Sequence, residues 1–430
     1  MPEVVPSAVG ASRQAATERG ASGWRRTWTL LGPAFVASVA YVDPGNFATN
    51  FAGGAGFGYR LLWVIVAANL MAMLIQALTA KLGMATGSDL ASLCRRHFPR
   101  PVTWGLWIQA EAVAIATDLA EVVGGAVALN LLFAVPLPVG GLMTAVVAFG
   151  LLAAQSRGYR PFEAVITGLL AVIALGLAYT LVASGVDADA LAQGLVPGFA
   201  GTESVLLATG ILGATVMPHV IYVHSALTPG RYRSVLSDGP SGTEQGAGTR
   251  RALRAQRLDV LLAMGAAGLV NAAMLIVAAQ LFAGSDSAAI TLEGVHADLG
   301  VVVGSGPALA FALALLASGF AASSVGTFAG QVVMAGFLQR QIPLTLRRAL
   351  TLAPALVVLA VGIDPTAALV WSQVVLSFGI PFALVPLVMF TARRDLMESL
   401  VNRPTTTAAA SAVAALIVTL NGFLLWDLAT

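Results

Sequence analysis

The sequence predicts an all-α membrane protein with eleven spans, arranged as two inverted repeats of five spans and one extra helix. Three observations carry this. Of 430 residues, 57% are hydrophobic and only 10% charged, with a mean hydropathy of +0.84. A soluble domain carries roughly 25% charged residues, so this chain could not cover a water-facing surface. Its basic residues fall almost entirely on alternate loops. Two of its spans are interrupted at matching places, five spans apart.

Apolar segments of spanning length lie near 29–54, 60–83, 102–133, 138–155, 162–184, 203–227, 258–283, 303–334, 345–362, 366–391 and 406–427. Arginine and lysine placement orients them. The tail holds Arg13, Arg19, Arg25 and Arg26, and every second loop thereafter holds the rest, so 22 of the 23 basic residues share one side and only Arg60 falls opposite. The N-terminus is therefore expected in the cytosol and the C-terminal "WDLAT" outside, in a plasma (inner) membrane. Residues 1–27, which lack an apolar signal-peptide core, read as a short cytosolic tail ahead of an eleven-span domain over 28–430. Within that domain the repeats are expected at 28–185 and 201–392, with the extra helix at 404–428. The connector "TPGRYRSVLSDGPSGTEQGAGTRRALRAQR" reads as a long solvated cytosolic loop whose centre, rich in Gly, Ser and Thr, is flexible.

Composition also excludes functions. Net charge is only +2, so bulk charge points to no nucleic-acid partner. One cysteine, Cys94, rules out an intramolecular disulfide and a cysteine-based metal cluster. There is no Walker motif, hence no nucleotide partner, and no nucleophile–base constellation for an enzyme; an ion gradient is the expected energy source. The tryptophans near span ends form an aromatic belt at the lipid interface. Asn69, Gln76 and Asn271 read as amides that hold helices together.

The interruptions carry the chemistry. "LLGPAFVASVAYV" leads into Asp43-Pro44, and "SVLLATGILGATV" leads into Met217-Pro218. Each run has 13 residues; at ~1.5 Å per residue it reaches roughly 20 Å, into the middle of a hydrocarbon core ~30 Å thick. An odd separation of five spans makes the two helices antiparallel, the sign of an inverted repeat whose broken helices mark the binding site. Proline removes a backbone donor, which frees carbonyls to face a cation, and each preceding half-helix aims its negative end at the gap. The carboxylate of Asp43, the amide oxygen of Asn46 and the thioether of Met217 add hard oxygen and one soft sulfur, a set that favours transition metals over Mg²⁺ or Ca²⁺. The bland reading, two packing kinks with Met217 as filler, does not account for an intramembrane aspartate that costs ~2.5–3.5 kcal/mol to insert.

Glu111, Asp118 and Glu121 lie in the third span at spacings of seven and three, on one helix face. Either they form a structural ion-pair network with Arg347 or Arg348, or they relay protons. His219, two residues beyond Met217, could link Asp43 to that relay; His224 faces elsewhere.

"DPGNFATN" with "MPHVIYVHSAL" resembles the Nramp family of divalent-metal transporters, and "ASSVGTFAGQVVMAGFL" and "SQVVLSFGIPFALVPL" resemble that family's eighth and tenth spans. The resemblance runs from about Leu30 to Trp426. It implies a LeuT-type fold; Asp43, Asn46 and Met217 as side-chain ligands; Ala40 and Ala214 as carbonyl ligands; and Gln373 joining in some states. It also implies a proton relay. The chain departs from the family's usual MPHN at Val220. The expected function is import of Mn²⁺, and of Fe²⁺, accompanied by protons. The metal is cargo and no cofactor is expected; the other partners are protons and lipid, and the chain is expected to be a monomer. A cation-coupled amino-acid transporter on the same fold is the alternative, disfavoured because Asp43 and Met217 are unsuited to an anionic substrate group.

Overall fold

Two breaks organise the helices. This computed structural model describes residues 30–155, 159–237, 242–283, 290–339 and 343–429; the predicted tail, 1–27, lies outside the described residues. α1 (Pro33–Ala40) and α2 (Pro44–Phe57) divide the first span, and α9 (Thr202–Thr215) and α10 (Pro218–Ser237) divide the sixth. Both downstream halves begin at a proline, which fits the first turn of a helix because its missing N–H would have no partner there. The remaining predicted spans are α3 (Leu62–Thr86), α5 (Arg100–Phe133), α6 (Leu137–Gln155), α7 (Tyr159–Ser184), α11 (Gly242–Phe282), α13 (Ser305–Leu338), α14 (Leu344–Val361), α15 (Pro365–Ala392) and α17 (Pro404–Ala429). Short helices α4 (Leu90–His97), α8 (Ala188–Gly194), α12 (Leu292–Val302) and α16 (Arg394–Met397) lie in the connections. Among the described residues, eight stretches are long and apolar enough to cross a membrane; one of them, Pro44–Thr86, joins α2 and α3. Leu137–Gly150 and Ala349–Val361 are shorter apolar helices.

Burial separates the helices into an inner and an outer set. The α9–α10 stretch is 89% buried over its apolar window and α5 78%, whereas α7 and α17 are each 28% buried. The broken helices and the carboxylate-bearing helix thus form the interior, and α7 and α17 show most of their surface outward. Gly124 of α5 receives the Pro44 ring, and a Cβ at that position would overlap it. The first break is therefore seated directly on the carboxylate-bearing helix. At the opposite end of α1, the Gly32 and Ala34 N–H groups donate to the Asp259 carboxylate at 3.0 and 2.9 Å. An aspartate 225 residues away thus supplies the cap that the local sequence lacks.

The connector at 228–257 corrects an expectation. Its described residues are helical, with α10 continuing to Ser237 and α11 starting at Gly242; 238–241, at its centre, lie outside the described residues. Its second half, "TRRALRAQR", consists mostly of strong helix formers and extends the following span beyond its apolar part. The nearby glycines weaken a helix by about 1 kcal/mol each, which that continuous run outweighs.

Candidate functional site

The break after α1 leaves Tyr41, Val42 and Asp43 out of the helix, all buried. Other helices hold this strand in place. Asn271 of α11 donates to the Tyr41 carbonyl at 2.8 Å, and the Ser318 hydroxyl of α13 donates to the Val42 carbonyl at 2.6 Å. Asn50 donates to Asn271 Oδ1 at 2.8 Å. Unwound backbone in an apolar interior must find such partners, because an unpaired polar group there is costly. Asn271 is thus more than packing between helices: it secures the break.

Asp43 caps α2. Its Oδ1 accepts from the Asn46 backbone N–H and from Asn46 Nδ2, both at 2.8 Å. The same Nδ2 donates to the Ala214 carbonyl at 3.1 Å, so Asn46 joins the two breaks directly. Ala40 and Ala214 can now be understood from the backbone. A helical carbonyl accepts from the N–H four residues on, and four residues beyond Ala40 and Ala214 stand Pro44 and Pro218, which have none. Both carbonyls lack a helical donor for the same reason. That arithmetic was available in the sequence.

Several buried oxygens here have no protein partner: Asp43 Oδ2, Asn46 Oδ1, Gln373 Oε1 and Thr215 Oγ1. Met217, fully buried, lies between α9 and α10. Gln373 of α15 lies against Gly45, where any Cβ would overlap its amide group, and its Nε2 donates to Ser372 Oγ at 3.1 Å. Asp43, Asn46, Ala214 and Gln373 are therefore brought to one place. Among the described residues no group of three or more His, Cys, Asp or Glu could hold a metal. A cation bound here would meet the Asp43 carboxylate, the amide oxygens of Asn46 and Gln373 and the Ala214 carbonyl.

His219 is buried on the first turn of α10. Its Nδ1 lies 3.3 Å from Thr117 Oγ1 of α5, beside Asp118, and its Nε2 has no partner. His219 thus meets the third span through Thr117, a residue that sequence reasoning passed over. Glu121 and Asp118 are buried, and Glu111 pairs with Arg347 of α14 at 3.1 Å. Two glycines of α13 make room for these charges. A Cβ on Gly326 would lie 2.6 Å from Glu121 Oε1, and one on Gly330 would overlap the Arg347 guanidinium. The structural ion pair and the row of carboxylates therefore coexist. The Arg348 side chain lies outside the described ones.

His224 takes a different partner, as its spacing suggested. Its Nδ1 lies 2.8 Å from Gln76 Oε1, and Gln76 Nε2 donates to the Tyr41 hydroxyl at 2.5 Å. Gln76 therefore ties α10 to the unwound strand. Nothing in the spacing of α3 distinguished it from Asn69, which lies against Gly268.

The profile of the family described as Nramp, natural resistance-associated macrophage protein-like, matches residues 34–427. The chain belongs to the Nramp family. Curated Nramp relatives named divalent metal cation transporter MntH are similar over nearly all of its length. The Deinococcus radiodurans protein is 50% identical over 97% of this chain and 94% of its own. The Bacillus subtilis protein is 48% identical over 94% of this chain and 93% of its own. A solved manganese transporter of Eremococcus coleocola superposes with a TM-score of 0.81 at 31% identity, covering 94% of this chain and 87% of that one. Mhp1, a nucleobase-cation symporter, superposes at 0.57 with 16% identity and shows the shared LeuT-type fold alone. Nramp proteins are transporters, not enzymes.

Proposed function

We propose that this chain is a secondary active importer of divalent transition metal, Mn²⁺ and with it Fe²⁺, accompanied by protons. Alternating access would turn on the site between the two broken spans, with 28–185 and 201–392 as the inverted repeats and 404–428 as the extra helix. The carrying observation is the set of buried, unpartnered oxygens on Asp43 and Asn46, joined to the second break beside Met217. The names of the relatives from Deinococcus, Bacillus and Eremococcus support the cargo class. The arginine distribution supports a cytosolic N-terminus in the cell membrane. The test is uptake into proteoliposomes across a panel of divalent ions with internal pH recorded. Saturable Mn²⁺ uptake with internal acidification supports the reading; absence of Mn²⁺ uptake by correctly folded protein overturns it.

In this reading Asp43 supplies the charge, Asn46 and the Ala40 and Ala214 carbonyls supply hard dipoles, and Met217 supplies selectivity. Gln373 reaches the site from α15. Met217→Ala removes the soft donor, so excess Ca²⁺ should compete with Mn²⁺ better by about tenfold, the factor that ~1.4 kcal/mol of lost preference gives. Unchanged competition would remove Met217 from the selectivity argument.

A metal ligand must be deprotonated, so a proton on Asp43 leaves before or as the metal binds. His219, through Thr117, leads to Asp118 and Glu121, and Glu111 with Arg347 continues along the same helix, a route separate from the metal's own. Arg348 would add counter-charge. Glu121→Gln and Asp118→Asn are each expected to reduce proton movement and flatten its pH dependence more than they weaken metal uptake. Simultaneous measurement of Mn²⁺ uptake and internal acidification at several external pH values checks this. Wild-type proton flux in both variants would return the carboxylates to a purely structural role.

A further inference from the structure

The extra helix α17 lies outside the two repeats, yet it carries a buried amide that reaches into α15. Asn421 is the buried polar side chain of α17 among the described residues. Its Nδ2 donates to the Ser377 carbonyl at 2.9 Å, and its Oδ1 accepts from the Ser377 hydroxyl at 2.8 Å. The reason this carbonyl is available lies in the sequence of α15. Its helical donor would be residue 381, which is proline. Pro381 opens the ladder at one point, and Asn421, 44 residues away, fills it.

That point sits one turn from Gln373. The Ser377 N–H belongs to the turn whose carbonyl partner is Gln373. On its other side this turn is pressed by α9. A Cβ on Gly213 would overlap the Gln373 carbonyl oxygen and come within 3.0 Å of Ser377 N. Gly213 immediately precedes Ala214, whose carbonyl meets Asn46. The Gln373 turn is thus gripped between α9 and Asn421, while the Gln373 side chain lies on Gly45 at the other break.

We propose that Asn421 is a positioning residue: by replacing the donor that Pro381 removes, it fixes the turn of α15 that delivers Gln373 to the metal. This rests on the reading of Gln373 as a metal ligand given above. It also gives the helix outside the inverted repeats a function in metal binding. Shortening Asn421 leaves the Ser377 carbonyl without its donor, while the Ser377 hydroxyl keeps the Val374 carbonyl at 2.7 Å, and the proline-weakened turn can then relax away from Gly213.

The experiment is a set of variants in proteoliposomes, read as KM and maximal rate for Mn²⁺, with thermal unfolding of each in detergent. Asn421→Ala is expected to raise KM by roughly five- to tenfold with a smaller change in maximal rate, within the range of coupled neighbours. In a Gln373→Ala background the same change should add nothing to KM. Pro381→Ala, which restores the backbone donor, should rescue Asn421→Ala in both KM and unfolding temperature. An equal KM rise with and without Gln373 would overturn the proposal, as would failure of Pro381→Ala to rescue. If Gln373→Ala alone leaves KM unchanged, the ligand reading of Gln373 fails and the positioning role falls with it. Rescue of unfolding temperature by Pro381→Ala would then still report the repaired helix separately.

Discussion

Asp43→Ala is expected to abolish Mn²⁺ uptake while leaving the helices assembled. The two consequences differ in size because Asp43 does two separable things. As the cap of α2 it accepts the Asn46 N–H at 2.8 Å. Losing a cap costs about 1 kcal/mol, against a stability of about 5–15 kcal/mol for a folded domain, so the fold stands. In the proposed reading it is, among the described residues, the carboxylate at the break that would supply the formal charge compensating a divalent ion for its lost water. Neutral amides and carbonyls do not replace that charge, and among the described residues no cluster of acids or histidines stands by to substitute. Asp43→Asn separates the two roles. Its amide oxygen can still cap α2, and asparagine is as good a cap as aspartate. Uptake should therefore be lost in both variants, while the unfolding temperature falls only in the alanine variant. Near wild-type Mn²⁺ uptake by Asp43→Asn would mean that the charge is dispensable and that the site lies elsewhere.

The contrast between Asp43 and Asn421 shows what could be read from one chain. Asp43, Pro44, Met217 and Pro218 declare themselves locally: an acid or a proline in an apolar run is expensive wherever the helix is later packed. The fold followed, because two such breaks five spans apart leave few arrangements. The freed carbonyls of Ala40 and Ala214 were legible too, given the position of each proline four residues on. Asn421, Asn271, Gln76 and Asp259 were not. Each is a polar residue in or at the end of an apolar helix, and each acts on a backbone group or side chain that is remote in sequence: 44 residues away for Asn421, 230 for Asn271. Their partners exist only once the helices cross, so periodicity sees only amides of the packing kind. The Gly326 and Gly330 recesses that admit Glu121 and Arg347 are hidden for the same reason. The connector at 228–257 failed differently. Its Gly, Ser and Thr content was read as that of a flexible centre, whereas the run from Thr249 to Arg257 had enough helix formers to carry α11 outward.

Gly213→Ala should be strongly damaging, because its methyl group meets backbone. Two terms oppose each other. Alanine in place of a helical glycine gains about 0.5–1 kcal/mol from the less flexible unfolded chain. Against that, the new Cβ would overlap the Gln373 carbonyl oxygen, and the atoms in the way are backbone, which cannot rotate aside. Overpacking of this kind costs typically 1–3 kcal/mol and more where nothing can yield, so the net sign is destabilising. The cheapest relief is to move α9 away from α15, and that displaces Ala214 and Gln373 together. Uptake should fall steeply as well as unfolding temperature. Two glycines calibrate the effect. Gly105, exposed on α5 with no atom near its would-be Cβ, should accept alanine with unchanged or slightly raised stability. Gly210, one turn from Gly213, would place its new Cβ 3.2 Å from the Thr49 methyl and should show an intermediate cost because a side chain can give way. Thermal unfolding of the three variants, with Mn²⁺ uptake on the same preparations, ranks them. Gly213→Ala matching Gly105→Ala in both measurements would mean that α9 and α15 do not meet at this turn in the transporting protein, and the route from Asn421 through Ser377 to Gln373 would lose its opposing wall.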